Sequence, residues 1–166
     1  MYRAKIHVDS WAVNAGMNTL TSRLTAAFTL ATILGATLAA QPPKKDTLYK
    51  RLGGYDAIAA VTDDFVPRLV ADPTLAKYFT GAGNDTKMHI RQLAVDFICF
   101  ATGGPCVYIG RSMKTAHAGL GISESEWDTS VKHFTASLDK FKVPMQEKTE
   151  LLAAVTGLKA DIVEKK

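Results

Sequence analysis

From Ile58 to Ile162, apolar side chains recur every three or four residues, and no segment alternates with a period of two. One stripe is Ile58, Val61, Phe65 and Leu69. A second is Ile90, Leu93, Ala94, Phe97, Ile98 and Ala101. A third is Trp127, Val131, Phe134, Leu138 and Phe141, and a fourth is Leu151, Val155, Leu158 and Ile162. This spacing gives each of a series of helices one apolar face, which must be buried against another. The fold class is therefore all-α, with no sheet. Turn signals fall between the stripes: Gly53-Gly54, Asp72-Pro73, Gly81 to Asp85, Gly103-Gly104-Pro105 and Val143-Pro144. Ser123 and Glu126 have capping-box spacing, which starts the helix that carries Trp127. Pro67 lies inside the first stripe. It removes a helical donor and crowds the Asp63 carbonyl, so a kink or an early end is expected there.

Residues 1–40 read differently. Arg23 precedes an uncharged run whose centre, residues 24–38, is rich in Ala, Leu and Thr and exits through Leu38-Ala39-Ala40. A basic flank, a short apolar segment and small residues at the exit make a secretory signal. A membrane span needs roughly 20 predominantly apolar residues, so an uncleaved anchor is the competing reading. Met17 is an alternative start. Residues 41–46 form a linker, and residues 47–166 form one folded domain. Export to the bacterial periplasm, with no stable membrane insertion once the leader is cleaved, is the expectation. An exported chain with two cysteines permits one disulfide, Cys99 to Cys106, because the Gly103-Gly104 turn can return Cys106 to the helix end that holds Cys99. Without export they would be two thiols. The net charge is only +4 and carries no Lys/Arg cluster, which argues against nucleic acid.

Common catalytic and metal signatures are absent: there is no CxxC, HExxH or G-x-S-x-G. Gly104 to Ser112 approaches a phosphate loop, but it has one residue too many between the glycines and Arg in place of Lys. The distinctive segment is Tyr108 to Ile122. Within it Met113, Ala116, His117 and Leu120 share a helical face, bracketed by Gly110, Gly119 and Gly121. A single histidine on an apolar face is by default a hydrogen-bonded core residue. Here the short glycine-bracketed helix and the Phe-rich helices around it also suit a flat apolar ligand.

Residues 47–163 resemble the group I truncated haemoglobins from end to end. The resemblance is carried by Leu48-Tyr49-x-Arg51-Leu52-Gly53-Gly54, Asp64-Phe65, Ala71-Asp72-Pro73 and Tyr78-Phe79. It continues through Gly103-Gly104-Pro105, Tyr108-x-Gly110 and Met113-Lys114-x-x-His117-x-Gly119-x-Gly121-Ile122. It implies a two-over-two helical sandwich around a b-type haem, with His117 as the proximal iron ligand and a diatomic gas (oxygen, nitric oxide or carbon monoxide) opposite. It further implies that Phe79, Phe97, Ile98, Met113, Ile122 and Phe134 line the haem. Arg111 and Lys114 are candidates for its propionates, against a role as solvated surface charge. The distal side departs from the family. Val66, followed by Pro67, stands after Phe65 where a Tyr is usual, and Ile90 and Ala94 fall where polar residues are usual. Polar candidates nearby are His89, Gln92, Tyr78 and Thr80. His89 is a candidate distal iron ligand, against an exposed helix histidine, and His133 is read as surface. The function expected is reversible gas binding. The alternatives are an enzyme that makes nitrate from nitric oxide and oxygen or reduces nitrite, and a six-coordinate redox or electron-transfer protein. A reductase is a candidate partner.

Overall fold

A computed structural model describes residues 45–165. The segment read above as a secretory signal, and His7, lie outside the described residues, as does most of the expected linker. The helices are α1 (Leu48–Arg51), α2 (Gly54–Ala71), α3 (Asn84–Ala101), α4 (Met113–His117), α5 (Glu124–Lys140), α6 (Met145–Thr156) and α7 (Lys159–Ile162), with a 3-10 turn at Ala76–Phe79. Among the described residues there is no strand, only an isolated bridge between Ser123 and Lys165.

α2 packs on α3 and on α5, and α5 packs on α6, giving one helix pair over another. The apolar stripes meet where their spacing requires. Val61, Phe134, Leu138 and Leu151 form one buried cluster, with Phe65 edge-on to Phe134 at 5.0 Å. Ile58, Val95 and Cys99 form a second cluster between α2 and α3, and Ile122, Trp127 and Ile162 a third. Buried hydroxyl and carboxylate groups in these layers find partners, as burial demands. Thr62 is fully buried and donates to the Ile58 carbonyl at 2.8 Å. Asp64 on α2 accepts from Arg68 (2.6 Å), Ser137 (2.8 Å) and Lys140 (2.5 Å), which ties α2 to α5. These donors hold its carboxyl well below the usual carboxylate range, Arg68 foremost.

Most helix ends fall at the sequence signals. The capping box is complete: Ser123 Oγ accepts from the Glu126 N–H, and Glu126 accepts from the Ser123 N–H. Two expectations need correction. α2 does not end at Pro67 but runs on to Ala71, with Pro67 exposed. The last stripe is two helices, since the chain leaves α6 at Gly157 and restarts at Lys159.

Candidate functional site

α4 has only five residues, too few to be stable alone. Ser112 caps it, accepting from the Thr115 N–H at 3.2 Å. Gly110 sets the approach: a Cβ there would lie 2.3 Å from the Tyr108 hydroxyl. Tyr108 in turn donates to the Arg111 carbonyl at 2.7 Å and stands edge-on to Phe97 of α3 at 5.2 Å. The loop before α4 is thus held against α3.

His117 ends α4. Its Nδ1–H donates to the Met113 carbonyl at 2.8 Å, one helical turn back. That bond fixes the ring, and Nε2 has no hydrogen-bond partner among the described residues. Beyond His117 the chain passes Gly119 (φ 82°) and Gly121 (φ 64°), both left-handed. The Glu164 carboxylate accepts from the Gly119 N–H at 2.8 Å and the Gly121 N–H at 2.5 Å. Those two bonds hold Glu164 below the usual carboxylate range. The Glu164 and Lys165 N–H groups both donate to the Ile122 carbonyl, at 2.9 and 3.1 Å.

Cys99, fully buried near the end of α3, is joined to Cys106 in a disulfide with a Cα separation of 5.8 Å. Gly104 makes the loop between them feasible. A Cβ on it would lie 2.5 Å from the Tyr49 ring and 2.7 Å from Cys99 Sγ.

The remaining predicted lining residues separate into two groups. Ile122 is buried, and Met113 and Tyr78 pack on its cluster with Trp127 and Ile162. Phe79, Phe97, Met113, Ile90 and Ala94 are half-buried. Ile98 and Phe134 instead line an apolar cavity of about 170 Å³ with Leu52, Ile58, Val61 and Leu138. Arg111 and Lys114 are exposed.

The polar candidates on the distal side are engaged elsewhere or face water. Gln92 donates to the Tyr55 hydroxyl at 2.8 Å and to Asp96 at 3.0 Å. Tyr78 donates to Glu126 at 2.8 Å. Glu126, which also accepts from Lys77 and Ser123, is held down to about 2, Lys77 foremost. Thr80 and His89 are exposed. At about 100° per residue, His89 lies roughly 100° around α3 from Ile90 and further still from Ala94. His133 is not a free surface group, for its Nε2 meets Asp72 Oδ2 at 2.8 Å. Val66 is buried at 7% exposure.

Residues 47–164 match the family model for bacterial-like globins. The chain belongs to that family. Within it, this globin is a group I truncated haemoglobin. It is 34% identical over 116 residues to the group 1 truncated hemoglobin GlbN of Mycolicibacterium paratuberculosis, which spans 70% of this chain and 83% of that protein. It is also 34% identical over 119 residues to GlbN of Nostoc commune, spanning 72% of this chain and 98% of that one. Its fold matches the truncated hemoglobin of Tetrahymena pyriformis in its Fe(III) form, with a TM-score of 0.66 and 25% identity over 72% of this chain and all of that one. The 2/2 hemoglobin of a Synechococcus species in the cyanomet state, at 23% identity and a TM-score of 0.65, shows the same fold.

The cofactor of this globin is haem iron, and its residues fit that group. Among the described residues no three His, Cys, Asp or Glu side chains come together to hold a bare ion. A metal taken by His117 must therefore bring its other ligands with it, as a macrocycle does. Phe79, Phe97 and Met113 are half-buried apolar side chains, the type against which a macrocycle packs.

Local sequence carried no signal for Tyr55 or Glu164. Their partners lie 37 and 43 to 45 residues away, in chain segments that meet only in the fold.

Proposed function

We propose that this globin reversibly binds a diatomic gas at a haem iron held by His117, with an apolar space opposite. The observation that carries the reading is the His117 ring. Donation from Nδ1 to the Met113 carbonyl selects the tautomer in which Nε2 bears the lone pair, which is the form an iron requires. Haem iron, when bound through His117, would supply the metal to which the gas binds. The chain's part is to orient the imidazole, exclude water with Phe79, Phe97 and Met113, and leave the gas few donors. The exposure of His89 and the engagement of Gln92 and Tyr78 both favour a five-coordinate resting state over a six-coordinate one.

The test is His117→Ala. The variant should lose haem on a desalting column and regain it with added imidazole, while the wild type shows a five-coordinate ferrous spectrum. An unchanged haem spectrum in the variant would remove His117 from the iron.

Export extends the reading, and the Cys99–Cys106 bridge supports it, because such bridges persist in oxidising compartments. Mass spectrometry of exported protein should find its first residue at or within a residue or two of Gln41. An intact 24–38 segment on the mature chain would indicate a membrane anchor.

A further inference from the structure

We infer that Glu164 is a positioning residue for the iron ligand: its carboxylate fixes the turn that follows His117 and so sets how the imidazole meets the haem. This rests on His117 being that ligand.

The inference starts from how little else holds the segment. α4 is five residues long, and His117 is its last. The next four residues contain two left-handed glycines, Gly119 and Gly121, with open space around the Gly119 Cα. Within the segment, one backbone bond closes the turn, from the Leu120 N–H to the His117 carbonyl at 3.2 Å. Two glycines in sequence give an unrestrained chain many conformations. Something outside the segment must select one.

Glu164 does so. The two N–H groups it receives belong to alternate residues and converge on one carboxylate, one to each oxygen. Bonds to an ionised acceptor are roughly twice as strong as neutral ones. The residue is fastened at its own backbone as well. Its N–H and that of Lys165 share the Ile122 carbonyl, and the Lys165 carbonyl accepts from the Glu124 N–H at 3.2 Å. The capped start of α5 and the end of α7 therefore form a fixed frame. From that frame Glu164 reaches the chain two and four residues after His117. At the other end of α4, Ser112 and Met113 constrain the ring from before. Without the Glu164 carboxylate, the stretch between His117 and Ile122 would keep only the bond from the Leu120 N–H to the His117 carbonyl.

Three variants test this in the haem-loaded protein: Glu164→Ala, Glu164→Gln and, as a control on exposed α7, Asp161→Ala. The readouts are the iron–histidine stretching band of the ferrous form by resonance Raman and the rate of haem transfer to an excess of apomyoglobin. Loss of a group that orients a metal ligand costs about 10- to 100-fold in affinity. Glu164→Ala should shift or broaden the band and speed haem transfer about 10-fold. Glu164→Gln keeps one acceptor oxygen and should fall between Glu164→Ala and the wild type, while Asp161→Ala matches the wild type. Hydrogen exchange at the Gly119 and Gly121 amides of the haem-loaded protein checks the clamp by a readout that does not use the iron, and both should exchange faster in Glu164→Ala. Faster exchange with an unchanged band and unchanged haem transfer would overturn the inference and leave Glu164 a fastener of the chain end only. A wild-type protein whose band survives His117→Ala would overturn the ligand assignment itself, and the exchange result would still stand apart from it.

Discussion

Val66 precedes Pro67 on α2 and is buried where relatives of this fold usually carry a phenol, as the resemblance implies. A donor near the gas contributes about 1–3 kcal/mol, or about 5- to 150-fold in affinity. Val66→Tyr should therefore slow oxygen release by about 10-fold or more. It should also lower stability by about 1–3 kcal/mol, because the ring must enter a packed layer. Stopped-flow release against a scavenger, with a denaturation curve beside it, checks both. Release at the wild-type rate would place Val66 away from the gas. Single residues were legible in the sequence to different degrees. The short helix that His117 ends was legible because glycines bracket it, whereas the role of His117 at an iron is what the resemblance implies. The fates of Gln92 and Tyr78 were not legible, because spacing says which face a side chain takes and not which partner it meets. Gln92 is claimed by Tyr55, and Tyr78 by a carboxylate on α5.

At the scale of elements, the link between α3 and α4 is the most constrained. Its disulfide closes a short loop, with a sequence separation of 7. In the chain-entropy account such a loop contributes about 2.5 kcal/mol. Replacing both Cys99 and Cys106 by Ala should lower the urea midpoint by the equivalent amount with the slope nearly unchanged. Gly104→Ala should also destabilise, since its Cβ would overlap Tyr49 and Cys99. A variant as stable as the wild type would mean that the turn yields easily. Helix boundaries were largely readable, because the chemistry that sets them is local: Ser123 and Glu126 cap each other, and Gly103-Gly104-Pro105 cannot continue a helix. Pro67 left a kink and an early end both open, because local sequence gives the cost of a proline and not the packing on either side of it, and the split after Thr156 was hidden by apolar spacing that runs on through Leu158 and Ile162.

Across the whole molecule, carboxylates join the layers. Asp64 binds α2 to α5, Asp72 meets His133, and Glu126 gathers Lys77, Tyr78 and Ser123. All three are more acidic in the folded chain than in the unfolded one, so the unfolded chain binds more protons in acid. Stability from these groups is present above about pH 5 and is lost as pH falls through their depressed values. Glu126→Gln should thus be less stable than the wild type at neutral pH, and the gap should close as pH falls from about 5 towards 2. Urea midpoints of both proteins at stepped pH measure it, and a gap independent of pH would exclude the charge as its source. Arg51 adds a different kind of consequence. On α1 it meets Glu147 at 2.6 Å and also Glu150, partners 96 and 99 residues further along. A ribosome adding about 5–20 residues per second needs roughly 5–20 s to make that stretch. For that interval α1 lacks these two ion pairs, and the restraints within reach are those to α2 and to the end of α3.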